Sequence, residues 1–478
     1  MELKDAISDP IFKILSDSAS ELNLESYVIG GYVRDSLLGR YTKEVDIVAV
    51  GSGIELAKHI NKKLNNKSKV IIYKNFGTAM IQAGEWRFEF VGARKESYKK
   101  NSRKPVVENG TFYEDLNRRD FTINTMAISL IPSSYGQLID PFNGISDLKN
   151  KLIRTPLDPD ITFSDDPLRM MRAIRFATQL DFTIDNDCIS AIEKNKNRIS
   201  IVSAERISDE LNKIMSSNKP SIGFILMKQT GLLDIILPEI SSLQGIEIID
   251  GQAHKDNFYH TLKVLDKVAM QTNNLWLKWA ALMHDIGKPA TKKFEPDIGW
   301  TFHGHDLKGS KMLPAIFRRL KLPLDEKLKY VQKLVLLHQR PAALWDADIT
   351  DSAIRRLLFD AGTAIDDLML LCEADITSKD QNKVNKYLAR FAEVRQKLKD
   401  IEEKDRLRNW KPPISGNVIM KTFNIGPGRE VGIIKNAIKE AILEGIIQNN
   451  YEESFDFMIK EAQKIGLEPN KQNINNKT

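Results

Sequence analysis

The sequence contains little cysteine, with only Cys188 and Cys372 among 478 residues. Two thiols are too few for a disulfide framework, and no Cys-x-x-Cys spacing is present for a zinc site. The chain also lacks an apolar run of bilayer length, and its N-terminal segment lacks the charged-then-apolar order of a signal peptide. We therefore expect a cytoplasmic protein of a reducing compartment, with no membrane partner.

Neither sign of charge is in large excess, because 70 Lys and Arg face 64 Asp and Glu, for a formal net charge of +6. A surface that binds a polyanion must therefore come from local clustering. No fixed-period repeat is visible, which disfavours a solenoid. The length allows several domains. Strand patterns such as "ESYVIGG", "EVDIVAVG" and "WRFEFVGAR" mix with helices up to about residue 150, and helical spacing dominates beyond it.

The stretch "YVIGGYVRDSLLGRYTKEVDIVAVGSG" combines flexible backbone, a cation and two carboxylates. Successive strand side chains point to opposite faces, so Glu44 and Asp46 share a face. Two carboxylates at a strand end can chelate hard divalent cations, and a magnesium pair suits phosphoryl transfer. Gly30 and Gly31 let backbone amides approach a phosphate, and Arg34 adds a positive charge. The alternative is a Gly-Gly turn before an ordinary strand whose acids face water.

Four motifs in this order, "GGYVRDSLLGR", "EVDIV", "RRDFTINTMA" and "DDPLRMMRAIRF", resemble the class II tRNA nucleotidyltransferase and bacterial poly(A) polymerase family. The resemblance implies an α+β fold, with a polymerase-beta-like nucleotidyltransferase head built on a small mixed sheet and an all-helical neck, body and tail. It also implies that the acids of "EVD" hold two magnesium ions. The family usually has Asp where this chain has Glu44. Glu89 in "WRFEFVG" is either a third acid or an exposed strand residue.

The motif "RRDFTIN" follows a polar, basic segment that the sequence predicts to be a mobile loop, from Arg94 to about Asn117. By the resemblance, Arg119 and Asp120 belong to the nucleotide site. The same resemblance implies that the loop helps to switch the enzyme from C addition to A addition.

The next motif carries Asp166, Arg169, Arg172 and Arg175, which are three apart and would lie within reach of one another on a helix. A carboxylate accepts hydrogen bonds and a guanidinium donates a planar fork, so Asp166 and Arg169 can match the edge of a nucleobase. The resemblance implies that this pair selects cytosine or adenine, while Arg172 and Arg175 reach toward the triphosphate. For the isolated segment, a salt-bridged surface helix is the alternative.

Five of the seven histidines lie between residues 260 and 338. Imidazole together with carboxylate suits Mn, Fe, Ni or Zn better than calcium, although a lone histidine is more often a core or capping residue. The series, and "HDIGKP" in particular, resembles the HD phosphohydrolase family. This implies a metal-dependent phosphatase or phosphodiesterase centre, or one that persists only as structure. The candidate metal ligands are His260, His284, Asp285, His305, His338 and Asp375.

Together, the patterns and the resemblance predict an enzyme that adds CCA to the 3′ end of tRNA from CTP and ATP and releases pyrophosphate. The alternatives are a poly(A) polymerase, an enzyme that adds only CC or only A, and an HD phosphohydrolase or RNA-binding module with an inactive head. The expected domains are the head at 1–150, the neck with the base-selecting helix at 151–245, the HD domain at 246–385, and a C-terminal helical tRNA-binding region at 386–478.

Overall fold

The computed structural model describes residues 2–64, 68–74, 77–99, 102–249, 252–253, 256–344, 350–378, 380–405 and 413–470. The chain forms two compact units, Met1–Ser241 and Ser242–Thr478. The first is α+β and the second is largely helical. No helix among the described residues combines the length and apolar character needed to cross a bilayer.

The first unit contains eleven strands in the described residues. They are β1 (Ser26–Ile29), β2 (Glu44–Ala49), β3 (Val70–Tyr73), β4 (Thr78–Ala83), β5 (Trp86–Gly92), β6 (Arg94–Lys99), β7 (Ser102–Asn109), β8 (Ala127–Ser129), β9 (Leu138–Ile139), β10 (Leu152–Ile153) and β11 (Thr183–Ile184). Seven of these form one mixed sheet in the order β3-β4-β5-β2-β1-β8-β9. Strands β2 and β5 run parallel in this sheet.

Strand β2 has one face for the core and one for solvent in its first half. Val45 and Ile47 are buried, whereas Glu44 and Asp46, which alternate with them, are exposed. The buried face continues through Phe88 of β5, whose ring meets Phe12 edge-on with 5.9 Å between centroids. Alternation of this kind fixes the register, because a shift by one residue would bury the acids.

The helices of the first unit surround the sheet and form the neck after it. They are α1 (Pro10–Glu21), α2 (Gly31–Leu37), α3 (Gly53–Lys63), α4 (Phe112–Asn117), α5 (Gly144–Lys149), α6 (Pro159–Asp165), α7 (Leu168–Leu180), α8 (Asn186–Asn195), α9 (Ala204–Met215), α10 (Ser221–Gln229), α11 (Leu232–Ile236) and α12 (Pro238–Ser241). Helix α7 packs against α9 and α10.

The segment from Arg94 to Asn117 differs from the predicted loop. It forms an antiparallel ribbon of β6 with β7, followed by α4. A capping box starts α4, because Thr111 accepts a hydrogen bond from the backbone of Glu114 and the Glu114 side chain accepts one from Thr111. Residues 100 and 101, in the middle of the predicted loop, lie outside the described residues.

Proline divides the predicted base-selecting helix. Asp166 is not on α7 but ends α6, with extended backbone at φ −126° and ψ 97°. Pro167 follows it and precedes the first residue of α7. A residue before proline is forced away from helical backbone by the proline ring. The equal spacing from Asp166 to Arg175 therefore does not continue one helix.

The second unit is built from helices and two short ribbons. Its strands are β12 (Ile248–Ile249), β13 (Gln252–Ala253), β14 (Lys293–Glu295) and β15 (Gly299–Thr301). Its helices are α13 (Asn257–Gln271), α14 (Leu275–Met283), α15 (Lys288–Thr291), α16 (His305–Arg319), α17 (Glu326–Leu337), α18 (Arg340–Ala343), α19 (Asp351–Ala361), α20 (Ile365–Asp375), α21 (Gln381–Asp405), α22 (Gly416–Phe423), α23 (Arg429–Leu443) and α24 (Tyr451–Lys464).

Helices α22 to α24 share a small apolar core. It includes Ile419 and Phe423 from α22, Ile438 from α23 and Met458 from α24. The glycines of "GPGREVG" lie at the start of α23, which begins at Arg429 directly after Gly428.

Candidate active site and candidate metal centre

The acidic face of β2 lies next to β5 in the middle of the sheet. In the parallel register Glu44 lies opposite Arg87, and Asp46 lies opposite Glu89. Glu44 pairs with Arg87, with 3.2 Å between Oε1 and Nη1. Desolvation by the surrounding protein raises the pKa of Asp46 against the opposing charge of Arg119, and Glu89 adds to the rise. A nearby cation would favour the ionised form of such a carboxylate.

Gly30 brings backbone close to this acidic face. Its φ of +78° and ψ of −131° lie in a region open mainly to glycine. A Cβ there would lie 3.5 Å from Oδ2 of Asp46 and 3.7 Å from Nη1 of Arg119. Gly31 begins α2 immediately afterwards. At this turn, backbone that could approach a phosphate lies within a few ångströms of one carboxylate, Asp46, and one guanidinium, Arg119.

Arg34 is buried and is bonded to protein groups on both sides of its guanidinium. Its Nη1 donates to Oδ1 of Asn124 at 2.9 Å, and its Nε and Nη2 donate to the carboxylate of Asp35, each at 2.9 Å. The guanidinium also lies over the Phe176 ring, 5.1 Å from its centroid. In this arrangement Arg34 ties α2 to the segment that contains Asn124.

Asp120 is buried and accepts several hydrogen bonds. Its Oδ2 accepts from Nε of Arg172 at 2.7 Å, and its Oδ1 accepts from Nδ2 of Asn124 at 3.1 Å. Burial alone would raise the pKa of Asp120, but the charge of Arg172 and the bond from Asn124 bring it to about 2. The pair links the head to α7.

The four residues of the fourth motif have separate partners. Asp166 accepts from the Leu168 amide at 3.2 Å and pairs with Arg206 at 3.3 Å. Nη2 of Arg169 donates to the Arg118 carbonyl at 2.6 Å. Arg169 also borders a cleft of about 340 Å³.

The helical spacing predicted that Arg175 would lie on the same exposed face as Arg169, and this prediction is wrong. Arg175 is buried, and its Nε lies 2.6 Å from Oε2 of Glu210 on α9. Its guanidinium also stacks over Phe176, 3.9 Å from the ring centroid. Arg175 therefore binds α7 to α9 within the neck.

In the second unit, the predicted metal ligands converge from separate helix ends. Nε2 of His260 lies 2.8 Å from Oδ1 of Asp375 and 3.6 Å from Oδ2 of Asp285. Nε2 of His305 lies 3.3 Å from Oδ1 of Asp285 and 3.3 Å from Nε2 of His338. Among the described residues, two groups of three have ligand atoms within 4.8 Å of one another, and they share Asp285.

Three of these histidines are oriented in the same way. Nδ1 of His284 lies 2.8 Å from the Ala281 carbonyl, and Nδ1 of His338 lies 2.7 Å from the Val335 carbonyl. His305 makes the equivalent contact with Phe302 at 2.8 Å. A neutral ring that donates from Nδ1 keeps a lone pair on Nε2, the arrangement found in metal-ligating histidines.

The charges of the cluster fit a bound cation. His284 Nε2 is buried and lies 3.3 Å from Oδ2 of Asp285 and 3.6 Å from Oδ1 of Asp375. Burial alone would lower the pKa of His284, but Asp285 and Asp375 raise it to about 10. Both carboxyls have pKa values well below the ordinary value. Two ionised carboxylates thus favour positive charge at a buried point surrounded by nitrogen and oxygen donors, as a transition metal requires.

Additional groups surround this cluster. Thr377 Oγ1 lies 2.7 Å from Nδ1 of His260, and Lys288 Nζ lies 2.7 Å from Oδ2 of Asp285. A cavity of about 470 Å³ beside the cluster is lined by His338, Asp375, Thr377, Ser378 and Tyr387, among others. The sequence reasoning missed Thr377 and Lys288, although each lies two or three residues from a predicted ligand.

Three family models match the chain in succession. The poly A polymerase head domain matches residues 26–154. A model described as the probable RNA and SrmB-binding site of polymerase A matches residues 181–243. The HD domain matches residues 257–376.

Similar proteins cover most of the chain. An A-adding tRNA nucleotidyltransferase of Deinococcus radiodurans is 33% identical over 87% of this chain and 90% of its own. A multifunctional CCA protein of Shewanella frigidimarina is 29% identical over 74% of this chain and 84% of its own. A solved tRNA nucleotidyltransferase, complexed with a primer tRNA and an incoming ATP analog, is 25% identical with a TM-score of 0.56, covering 80% of this chain and 99% of that one.

The fold and these matches define a nucleotidyltransferase with a polymerase-type head and an HD domain. The chain belongs to the class II tRNA nucleotidyltransferase and bacterial poly(A) polymerase family. Both domain families depend on metal ions, and candidate ligand groups are present in the second unit.

Proposed function

We propose that this enzyme adds CCA to the 3′ end of tRNA, using CTP and ATP and releasing pyrophosphate. The observation that carries the proposal is the meeting of Asp46, the Gly30 turn and Arg119 at one strand end. This geometry supplies a carboxylate, close backbone and a cation, the groups that a nucleoside triphosphate and its metal require. The relatives named for tRNA nucleotide addition supply the substrate class.

Glu44 and Asp46 would hold Mg²⁺ in the head, with Glu89 as a third carboxylate beside Asp46. When bound, magnesium would lower the pKa of the primer's 3′-hydroxyl, which attacks the α-phosphate of the nucleotide. It would also stabilise the negative charge that develops on that phosphate. Glu44 would exchange its contact with Arg87 for the metal. The exposed position of both β2 acids leaves room for a triphosphate and an RNA end.

The protein's own side chains would orient the nucleotide. Gly30 and Gly31 would let backbone approach the phosphates, and Arg119 would stand beside them. Arg34, Asp120 and Arg172 would keep this surface in place through their mutual neighbour Asn124 and the Asp120–Arg172 pair.

Asp166 and Arg169 would read the base. Asp166 stands at the break between α6 and α7, where its carboxylate is partly exposed, and Arg169 borders the neighbouring cleft. A carboxylate and a guanidinium can pair with the amino and acceptor groups of either cytosine or adenine. Arg175 would contribute by holding α7 against α9.

Primer extension tests this proposal. tRNA lacking its last three nucleotides is incubated with CTP, ATP or both, and the products are sized. We expect two additions with CTP alone and three with both nucleotides. Long adenosine tracts would instead identify a poly(A) polymerase, and no extension of any primer would overturn the proposal.

Addition of the terminal A alone is a second candidate, favoured by the A-adding relative that spans 87% of this chain. The same assay separates the two functions when tRNA already ending in CC is supplied beside the shorter primer. An A-adding enzyme would extend only the CC-ended tRNA and only with ATP.

For residues 246–385 we propose a metal-dependent phosphatase or phosphodiesterase. The shared position of Asp285 between two ligand groups supports it, because one carboxylate can then serve two ions. His260, His284, His305, His338 and Asp375 would complete the donors for Mn, Ni, Fe or Zn. Such an ion, when bound, would polarise a phosphate and activate water.

Hydrolysis of a 2′,3′-cyclic nucleotide by Mn²⁺- or Ni²⁺-loaded protein tests the second centre. Chelator-treated protein should be inactive and should recover with one of the metals. Metal binding without hydrolysis of cyclic or terminal phosphates would leave the centre with a structural role only.

We also propose that residues 386–478 contact tRNA and that the enzyme acts in the cytoplasm. Exposed Arg429 and Lys435 of α23 offer positive charge for RNA phosphates. Both cysteines are free and buried, in keeping with a reducing compartment.

A further inference from the structure

Two buried carboxylates, Asp115 of α4 and Glu96 of β6, lie beside the nucleotide site without belonging to the proposed metal ligands. The side chain of Asp115 has no solvent exposure and that of Glu96 has 5%. Carboxylates buried to this degree require charged partners. Both pair with Arg118 of the "RRD" motif.

Asp115 holds two consecutive arginines. Its Oδ1 accepts from Nε of Arg118 at 2.9 Å and from Nη2 at 2.5 Å. Its Oδ2 accepts from Nη2 of Arg119 at 2.9 Å and from Nε at 3.2 Å. Each oxygen therefore serves one guanidinium, so the carboxylate sets the separation and orientation of both.

The two arginines contact opposite ends of the proposed nucleotide site, Arg119 at the phosphate end and Arg118 at the base end. Nη1 of Arg119 points toward Gly30, on the side of Asp46. The carbonyl of Arg118 accepts the 2.6 Å bond from Arg169, the proposed base-reading residue. One carboxylate thus stands between the phosphate end and the base end.

Glu96 joins the ribbon to the same arrangement. Its Oε1 lies 3.1 Å from Nη1 of Arg118 and 2.9 Å from Nε of Arg94. The Arg94 amide also donates to Oδ1 of Asp115 at 3.4 Å. The base of the β6–β7 ribbon is therefore linked to Arg118 by charged contacts on two sides.

We propose that Asp115 and Glu96 are positioning residues for nucleotide addition, with Asp115 orienting Arg119 toward the phosphates and both acids orienting Arg118 beneath Arg169. The proposal rests on the proposed function of the head. It differs from a purely structural role in one respect: the effect of Asp115 on catalysis must pass through the two arginines that it holds, Arg118 and Arg119.

A double-mutant cycle with the full-length protein tests this dependence. Asp115→Asn keeps the shape of the side chain and removes its charge. We expect it to raise the KM for CTP and ATP about tenfold, the factor that corresponds to about 1.4 kcal/mol, with a smaller change in kcat. In an Arg118→Gln, Arg119→Gln background the same substitution should change KM less than twofold, because both of its targets are already gone.

Glu96→Gln provides a second cycle, with Arg118→Gln as its partner, and keeps the proposal testable if Asp115→Asn does not fold. The matched control is Glu108→Gln, an exposed acid on the same ribbon, which should match the wild type. Equal effects of each acid substitution in the presence and absence of its arginine would overturn the proposal. Failure of the wild type to extend tRNA would instead overturn the proposed function, so the two failures are distinguishable.

Discussion

The two candidate metal sites of this chain are built on different secondary structure and differ in their access to solvent. In the head, Glu44 and Asp46 lie on a strand and are exposed. In the second unit, His260, His284 and Asp285 lie at or near helix ends and are buried, with His284 fully inaccessible. The first site is a surface onto which substrates can be placed, and the second is an enclosed cluster.

This difference in exposure predicts that the two metals bind at different stages, one together with the nucleotide and one before any substrate. Magnesium usually reaches an open carboxylate pair together with the phosphates of its substrate. In the buried cluster, imidazoles and carboxylates already contact one another without substrate. The ligands of a metal ion are therefore in place before substrate arrives. The head should therefore show metal binding that depends on nucleotide, whereas the second unit should retain metal through purification.

Asp46→Asn should separate the two sites most clearly. Removing the charged oxygen should reduce tRNA extension about a thousandfold or more, because a metal contributes several kcal/mol of charge stabilisation. Metal content and cyclic-phosphate hydrolysis should not change. Glu44→Asp is the matched control: it restores the residue usual in the family and should retain extension in a single-turnover assay. Normal extension by Asp46→Asn would refute the magnesium assignment.

Asp285→Asn is the converse experiment. Since Asp285 belongs to both ligand groups, its loss should remove bound metal, as measured by elemental analysis, and abolish hydrolysis in the second unit. Extension of tRNA should match the wild type. Asp297→Asn, at an exposed position in the same unit, controls for the charge change. Full metal content in Asp285→Asn would show that this carboxylate is not a ligand.

Arg175→Met should test whether this arginine serves the neck or the nucleotide. Loss of the guanidinium leaves Glu210 buried, and its remaining ion pair among the described residues is with Lys213 at 3.1 Å. We expect a loss of roughly 3 kcal/mol in unfolding free energy, measured by urea titration. The double variant Arg175→Met, Glu210→Met should recover most of it. Unchanged stability with a raised KM for nucleotides would instead support the contact with the triphosphate.

The contrast with Arg169→Met sharpens this result. Arg169 borders the open cleft, so its loss should affect the ratio of C to A incorporation more than stability. A variant that loses stability without a change in this ratio would contradict the base-reading assignment.

The reason that sequence alone misplaced Arg175 is physical. Helical spacing identifies neighbours on one helix, but Glu210 lies on α9, 35 residues away. Spacing also misled for Asp166, which is three residues before Arg169 but is not on the same helix. Pro167 forces Asp166 away from helical backbone, so α7 begins only after it. The polar segment after Arg94 was read as a loop because its strands have few apolar residues and stabilise each other by pairing. By contrast, β1, β2 and β5 were predictable from their apolar residues, because β1 is a short, fully buried run and buried and exposed positions alternate through most of β5 and the first half of β2.

The pairing of Asp120 with Arg172 leads to a smaller effect, confined to acid. The pKa of Asp120 is about 2 in the folded protein, below its ordinary value of 3.8. A carboxyl with a depressed pKa contributes stability that is present above the ordinary value and is lost as pH falls toward 2. The contribution should be roughly 2 kcal/mol.

Urea unfolding of the full chain should therefore show the wild type losing more stability than Asp120→Asn between about pH 5 and pH 2. Asp17→Asn, at a surface position where the carboxylate pairs with Lys13, should follow the wild type. Parallel curves for Asp120→Asn and the wild type would mean that Arg172 does not depress the pKa of Asp120, and the link between the head and α7 would then have to rest on the other contacts of that helix.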